Sequence, residues 1–300
     1  MRFLRHMLTG VGVSGAVTVL VLMSVGAPIY AQENAVANQS TQTRTEPNYV
    51  GEPLWEAGVL GTGVSQPAYP GAAEQVNLLL PLPYMIYRGK YLRIDRGTVG
   101  VRAIKTPRTE LDVGFAASLG SRADNIEVRR GMDDLGILLE FGPRLKINLG
   151  DMSDGQHQTR LQFALRGVFD INDHLSYHGM AFEPAWVNEM TIPESWATTI
   201  SIGALLGNQQ LVDTFYRVTP AEATAARTAY NAQSGLISTR ASILSSRMIN
   251  RDLRFFGYLR FDSVASAANH DSPLVQRDSG WSAAIGLMWT LARSQQGASD

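Results

Sequence analysis

The segment ILLEFGPRLKINLG, residues 137–150, decides the fold. Every second position reads Ile137, Leu139, Phe141, Pro143, Leu145, Ile147 and Leu149, with Leu138, Glu140, Gly142, Arg144, Lys146 and Asn148 between them. A period of two marks an extended strand whose side chains alternate between its faces. Here one face is apolar and the other carries ions. Soluble strands run to about 5 or 6 residues, whereas a tilted strand crossing a bilayer needs about 9–11. In hydrocarbon every backbone N–H and C=O must find a protein partner, so extended chain persists only in a sheet that closes on itself. The reading that follows sets Leu139, Phe141, Leu145 and Ile147 against acyl chains and turns Glu140, Arg144 and Lys146 into a wet interior.

The same alternation recurs along the chain. TELDVGFAASL, residues 109–119, sets Leu111, Val113 and Phe115 against Asp112 and Gly114. TRLQFALRGVF, residues 159–169, sets Leu161, Phe163 and Leu165 against Arg160, Gln162 and Arg166. SWATTISIGALL, residues 195–206, sets Trp196, Ile200 and Ile202 against Thr199 and Ser201. LRFFGYLRFD, residues 253–262, sets Leu253, Phe255, Leu259 and Phe261 against Arg254, Tyr258, Arg260 and Asp262. WSAAIGLMWTL, residues 281–291, sets Trp281, Ile285, Leu287 and Trp289 against Ser282, Gly286 and Thr290.

WEAGVLGTGV at residues 55–64 and VNLLLPLPYMIYR at 76–88 precede these, the second apolar on both parities. YLRIDR and TVGVRAI form either two strands or one bent strand, and residues 176–189 and 236–246 are less regular. The expectation is an all-β, single closed antiparallel barrel of about 12 strands, within a range of about 10–14, over residues 54–291. Trp55, Tyr84, Tyr87, Trp186, Trp196, Trp281 and Trp289 are assigned to its interfacial aromatic girdles. A soluble β-sandwich is the competing fold.

Connection lengths add a second signal. With twelve strands and both termini on one side, the long connections 65–75, 120–136, 207–234 and 264–279 fall at one end. RGK, TPR, DMSDGQH and the links near Thr191 and Asn250 fall at the other, the short-turn, long-loop asymmetry of outer-membrane barrels. Merging YLRIDR with TVGVRAI would break that agreement.

Arg2, Arg5 and His6 precede an uncharged stretch ending in the small-residue segment GAPIYA. Residues 1–31 read as a secretory signal peptide, with a retained anchor helix as the alternative. Residues 32–53 are polar and aperiodic and read as a flexible periplasmic leader, and residues 292–300 as a C-terminal tail. Removing residues 1–31 deletes two arginines and no acid, leaving 24 basic against 27 acidic residues and a formal charge of −3. Three of the 26 basic residues are lysines and 23 are arginines, the cation suited to fixed carboxylate pairing. A net charge of −1 argues against nucleic acid as partner. With 0 cysteines, an exported chain has neither a disulfide framework nor a lipidated cysteine.

No HExxH, GxSxG, GxxxxGK[ST] or dinucleotide fingerprint occurs, and no cofactor is expected. His157, His174, His178 and His270 have no spacing that assembles a catalytic set, so loop or interface roles are expected for them. The inward charges Asp112, Glu140, Arg144, Lys146, Arg160, Arg166, Arg254, Arg260 and Asp262 have two readings. Either the arginines line an anion-selective pore, or they pair with the carboxylates and fill a narrow lumen. The second is favoured. Leu161, Phe163, Leu165, Ile285 and Leu287 join the lipid-facing set.

Several strings in shared order resemble the MipA/OmpV family, the MltA-interacting proteins. They are PLWEAGV at 53–59, Tyr69-Pro70-Gly71, LPLPYMIYRGKYLRIDR at 80–96, RRGMDDL at 129–135, EFGP at 140–143, FYRVTPAEA…AY at 215–230 and DSPLV at 271–275. Within them stand Pro81, Pro83, Tyr84, Arg88, Gly89, Arg130, Gly131, Met132, Pro143, Tyr216, Pro220, Tyr230, Asp271, Ser272, Pro273 and Leu274. The resemblance implies a barrel in the outer membrane of a Gram-negative bacterium, in contact with its lipid and lipopolysaccharide. It also implies a scaffold that binds a lytic transglycosylase and a peptidoglycan synthase, with no enzymatic activity and no catalytic residues to carry over. The motif positions, rich in Gly and Pro, read as turn-formers. A small-solute channel and a surface adhesin using 207–234 and 264–279 are the alternatives. The chain departs from the family's habit of ending on an aromatic residue, because Leu291 and the tail follow Trp289.

Overall fold

The computed structural model describes residues 53–88, 92–95, 98–101, 104–106, 108–150, 157–191 and 196–297. The signal segment, the leader up to residue 52 and Gly89 lie outside them.

The strands are β1 (Trp55–Pro67), β2 (Gln75–Arg88), β3 (Leu92–Asp95), β4 (Thr98–Val101), β5 (Ile104–Lys105), β6 (Thr109–Ser118) and β7 (Leu138–Asn148). After them come β8 (His157–Asp170), β9 (Ser176–Thr191), β10 (Trp196–Gly207), β11 (Gly235–Met248), β12 (Leu253–Ser263) and β13 (Ser279–Arg293). One helix, α1 (Gln209–Tyr216), lies between β10 and β11. Ten of the strands are 10 residues or longer. Among the described residues no helix is long and apolar enough to cross a membrane.

All thirteen strands join in one curled antiparallel sheet in which each long strand pairs with its sequence neighbour. The first and last long strands also pair, from Glu56↔Arg293 to Ser65↔Ala283. β3 and β4 pair antiparallel through Leu92↔Val101 to Asp95↔Thr98, so YLRIDR and TVGVRAI are two strands. A further pairing, Thr98↔Gly114, links β4 to β6.

β2 pairs with β1 along its whole length, whereas β3 pairs with only its Tyr87 and Arg88. Pro81 and Pro83 fall where β2 has one partner strand among the described residues. A proline has no N–H to give a second neighbour, so an edge tolerates it best.

Alternation places the two faces. On β7, Phe141, Pro143 and Leu145 are exposed on the outer face, while Arg144 between them is buried on the inner face. Directly opposed residues share a face, so Leu145 stands beside Phe163, and Arg144 beside Asp112 on one side and Ala164 on the other. Leu139, Ile147, Leu161 and Leu165 fall on the outer parity of β7 and β8, and Ile285 and Leu287 on that of β13, where they are 59% and 44% exposed.

An aromatic ladder crosses four strands on the outer face near the loop-bearing end. Phe115 stacks on Phe141 at 6.0 Å, Phe141 on Phe169 at 5.0 Å, and Phe169 meets Tyr177 at 5.5 Å. Two girdle assignments need correction. Tyr84 faces inward, because β2 parity places it with Leu82 and its hydroxyl shares a 2.6 Å hydrogen bond with Thr290 Oγ1. Trp186 sits mid-strand, opposite Ile202, away from either end of β9.

The connections 68–74, 119–137, 208–234 and 264–278 lie at one end of the sheet, which the five-residue link between β8 and β9 shares, and the links from β7 to β8, β9 to β10 and β11 to β12 lie at the other. β13 runs through Ala292 and Arg293, which the sequence reading placed in the tail. Beyond it Ser294 N donates to Trp55 O at 2.9 Å, Leu54 N to Gln296 O at 2.8 Å, and Pro53 bridges to Gly297. Residues 53–55 and 294–297 are therefore tied together at the short-turn end.

Candidate functional site: a paired-charge interior beneath a folded cap

The inner face divides into a charged wall and an apolar one. Arg144 Nε and Nη2 hold Asp112 at 2.8 and 2.9 Å, and Lys146 Nζ reaches the same carboxylate at 2.6 Å and Glu110 at 3.2 Å. A second chain of ions runs over five strands. Arg166 bonds Glu140 at 3.0 Å and also Glu183, and Arg240 joins Glu183 at 3.4 Å to Asp262 at 2.9 Å. Arg260 closes the chain on Asp262 at 2.7 Å. Arg160 pairs with Glu189, and Arg88 with Glu56 at 2.7 Å.

Among the described strand residues, seven carboxylates meet seven cations in these pairs. No sign dominates them. Arg254 lies at the short-turn end with its Nε 3.1 Å from Met248 Sδ. Glu56, Glu110, Glu183, Glu189 and Arg240 were not singled out in the sequence, although strand parity alone places all five on the inner face.

On the same face, Leu60, Leu244 and Phe256 are buried and pack with Leu82, Tyr84, Tyr258 and Met288. Phe256 is fully buried and directly opposes Gly286, where a Cβ would stand 2.7 Å from two atoms of the ring. The apolar patch occupies β1, β2 and β11–β13. Its signal was the second apolar parity of β2 and the consecutive Phe255 and Phe256.

The loop end carries a hydrophobic core of its own. Ala68, Tyr69 and Ala72, Ile126 and Leu135, Leu211, Val212, Tyr216, Val218 and Ala232, and Leu274 pack together over the strand-end residues Leu138, Val168, Ala181, Leu205 and Ile237. Four connections, 68–74, 119–137, 208–234 and 264–278, thus fold into one cap. α1 begins at Asn208, whose Oδ1 accepts from Leu211 N at 3.1 Å and Met180 N at 2.9 Å. This satisfies an otherwise unpaired first-turn donor and pins the helix to β9. The helix turns Leu211, Val212 and Tyr216 into the core.

Side chains then tie loop to loop through backbone carbonyls. Tyr69 OH donates to Leu274 O at 2.7 Å, Tyr216 OH to Pro70 O at 3.0 Å, and Ser272 Oγ to Tyr216 O at 2.9 Å. Asn269, fully buried, accepts from Gln233 N at 2.7 Å and donates to Gln233 O at 2.8 Å. Arg227 Nη1 reaches Val128 O at 2.6 Å, and Arg129 Nη1 reaches Phe215 O at 3.2 Å while its guanidinium lies 5.6 Å from the Tyr69 ring centre. Burial raises the pKa of Tyr69 and Tyr216 and lowers that of Arg129. A hydrogen bond from Thr219 lowers that of Glu222, and one to Asp278 at 3.0 Å raises that of exposed His270.

Of the remaining histidines, His178 lies between Ser176 and Thr214 at 3.1 Å from each. It links the start of β9 to α1. His174 sits in a turn, at φ 51° beside Leu175 at 63°. His157 opens β8 opposite Met190. Among the described residues no group of three His, Cys, Asp or Glu could hold a metal ion.

The family model described as MltA-interacting protein MipA matches residues 59–291. The chain belongs to that family. No curated protein matches it. Similar solved structures include an active-site mutant of outer membrane phospholipase A from Escherichia coli, at 10% identity and TM-score 0.33, covering 82% of this chain and 94% of that one. A Pseudomonas aeruginosa FadL homologue matches at 9% and 0.31, covering 82% and 73%. The Escherichia coli outer membrane protease OmpT matches at 10% and 0.28, covering 84% and 100%.

The MipA-family strings sort into three places. Tyr69, Met132, Tyr216, Tyr230 and Leu274 pack in or against the cap core, and buried Ser272 hydrogen-bonds within it. This corrects their reading as turn-formers. Gly71 at φ +93° and Gly131 at φ +78° do adopt the left-handed backbone that turns require. Arg130 O accepts from Arg227, Thr219 O, next to Pro220, accepts from Glu222 N, and Asp271 faces His270. Pro273 O accepts from Gln276 Nε2. The strings at 53–59 and 80–88 instead meet at the short-turn end, where Arg88 Nη1 donates to both Pro53 O at 3.1 Å and Glu56. Pro143 is exposed on the outer face of β7.

Proposed function

We propose that the protein is a closed barrel of the bacterial outer membrane that holds a partner at its periplasmic end, and that it is neither a pore nor an enzyme. Counting β4 and β5 as one strand gives twelve strands around the ring, with Thr98↔Gly114 as the closing contact. Lipid would wet the outer face, with lipopolysaccharide beside the Phe115–Phe141–Phe169–Tyr177 ladder and phospholipid at the short-turn end.

The cap carries the functional reading. A wall of four interlocked loops over one mouth, above an inner face where seven carboxylates meet seven cations among the described strand residues, supports a roofed interior with little net charge to select solutes. The family's description names an interaction with MltA. By resemblance, the partners are murein-cleaving and murein-synthesising enzymes, met at the short-turn end where the 53–56 and 294–297 segments join.

Two measurements test this. Purified protein in a planar bilayer gives no steady conductance, and the protein captured from envelope extracts brings murein enzymes with it. Steady open-channel steps together with empty captures would replace the scaffold by a small-solute channel.

A further inference from the structure

Arg247 departs from the seven ion-paired cations of the inner face. It lies on the outer parity of β11 with Ala241 and Ile243, one residue before the strand ends at the short turn. Its direct neighbours on the same face are Trp196 on β10 and Phe255 on β12. Those two rings meet edge-on at 6.1 Å across it. Arg247 is exposed, as is Arg251 in the adjoining turn. Unlike the seven cations of the inner face, neither side chain has a hydrogen bond or ion pair among the described residues.

We propose that Arg247, framed by Trp196 and Phe255 and backed by Arg251, is a headgroup site for an anionic phospholipid of the periplasmic leaflet. The inference rests on the membrane reading above. An arginine on the lipid side is tolerated near a strand end because its long stem lets the charge reach headgroup level. There its planar fork matches two phosphate oxygens, a fit that an ammonium cannot reproduce. Trp and aromatic neighbours hold the strand at that depth. A zwitterionic lipid brings its own ammonium to its phosphate. An anionic headgroup leaves the negative charge for the guanidinium, and each arginine near the surface favours it about fivefold.

The test reconstitutes full-length protein in phosphatidylcholine vesicles containing brominated phosphatidylglycerol or, separately, brominated phosphatidylcholine, and reads tryptophan quenching. Trp196→Phe defines the share that comes from Trp196. The wild type shows Trp196 quenched preferentially by the anionic lipid. Arg247→Gln loses about fivefold of that preference, and Arg247→Gln with Arg251→Gln loses more, whereas Arg247→Lys retains part of it. Equal preference in wild type and double variant overturns the site. A gel band shifted by boiling with no lipid preference overturns this proposal alone. An unshifted band and failure to enter vesicles overturn the membrane reading with it.

Discussion

Arg144 grips Asp112 from the directly opposed position on the next strand, with Nε at 2.8 Å and Nη2 at 2.9 Å, while Leu145 beside it points to the other side and is 37% exposed. A single residue step therefore separates an ion-paired interior from an apolar exterior.

Replacing Leu145 with Arg puts a cation on the outer face. At membrane mid-depth that costs about 2–4 kcal/mol. Lys146→Gln removes one of two cations from Asp112 and leaves Arg144 in place. Envelope fractionation with gel mobility before and after boiling should show L145R assembly strongly reduced and K146Q near wild type. Equal defects would contradict the assignment of faces.

Asp112 is 2% exposed and faces both Arg144 and Lys146. Asp112→Leu takes both hydrogen bonds of the bidentate pair from Arg144 and leaves Lys146 with Glu110 at 3.2 Å, and breaking a buried pair on one side costs about 3–5 kcal/mol. Asp112→Leu combined with Arg144→Leu removes the cation that lost its bidentate partner as well. Unfolding in urea should find the double variant more stable than Asp112→Leu alone, and a double variant weaker than both singles would show that the pair is not the coupled unit.

Gly286→Val drives a side chain against Gly61 O, 2.5 Å from even a Cβ, and into the Phe256 ring, 2.7 Å from it. Overpacking of this kind costs about 1–3 kcal/mol. Phe256→Ala opens the space and should recover part of that loss when combined with Gly286→Val. Strictly additive losses in the boiling-shift temperature would mean that the two residues do not compete for one volume.

The cap should loosen in alkali. Burial holds the Tyr69 and Tyr216 phenols above the ordinary value of 10.0, so the folded cap keeps protons that unfolded loops release. Their contribution is complete below pH 10 and declines as pH rises towards the raised folded values. Limited proteolysis of the 208–234 connection should accelerate above pH 10 while the boiling-resistant band persists. Tyr69→Phe, which leaves Leu274 O without its donor, should speed cleavage at neutral pH as well.

Much of this architecture is legible along the chain. The period of two over residues 137–150 names the outward Leu145 and the inward Arg144 before any partner is known, because alternation is a local property of extended backbone. Connection lengths likewise mark the four loops of the cap, although the five-residue link between β8 and β9 shares their end. Tyr84 shows where that local reading stops. Its place near a strand end suggested an interface anchor, but the pairing of β2 with β1 and of β1 with β13 delivers its hydroxyl to Thr290.

What the amino-acid order determined by itself is the strand pattern and the face on which each side chain emerges. Tertiary structure alone decided which charges meet, since Glu183 joins Arg166 on the adjacent strand and Arg240 two strands away. It also decided that Tyr69 and Leu274, 205 residues apart, close one cap. The reason is physical: side-chain direction follows from one residue's backbone, whereas partnership depends on register, curvature and loop packing summed over the whole sheet.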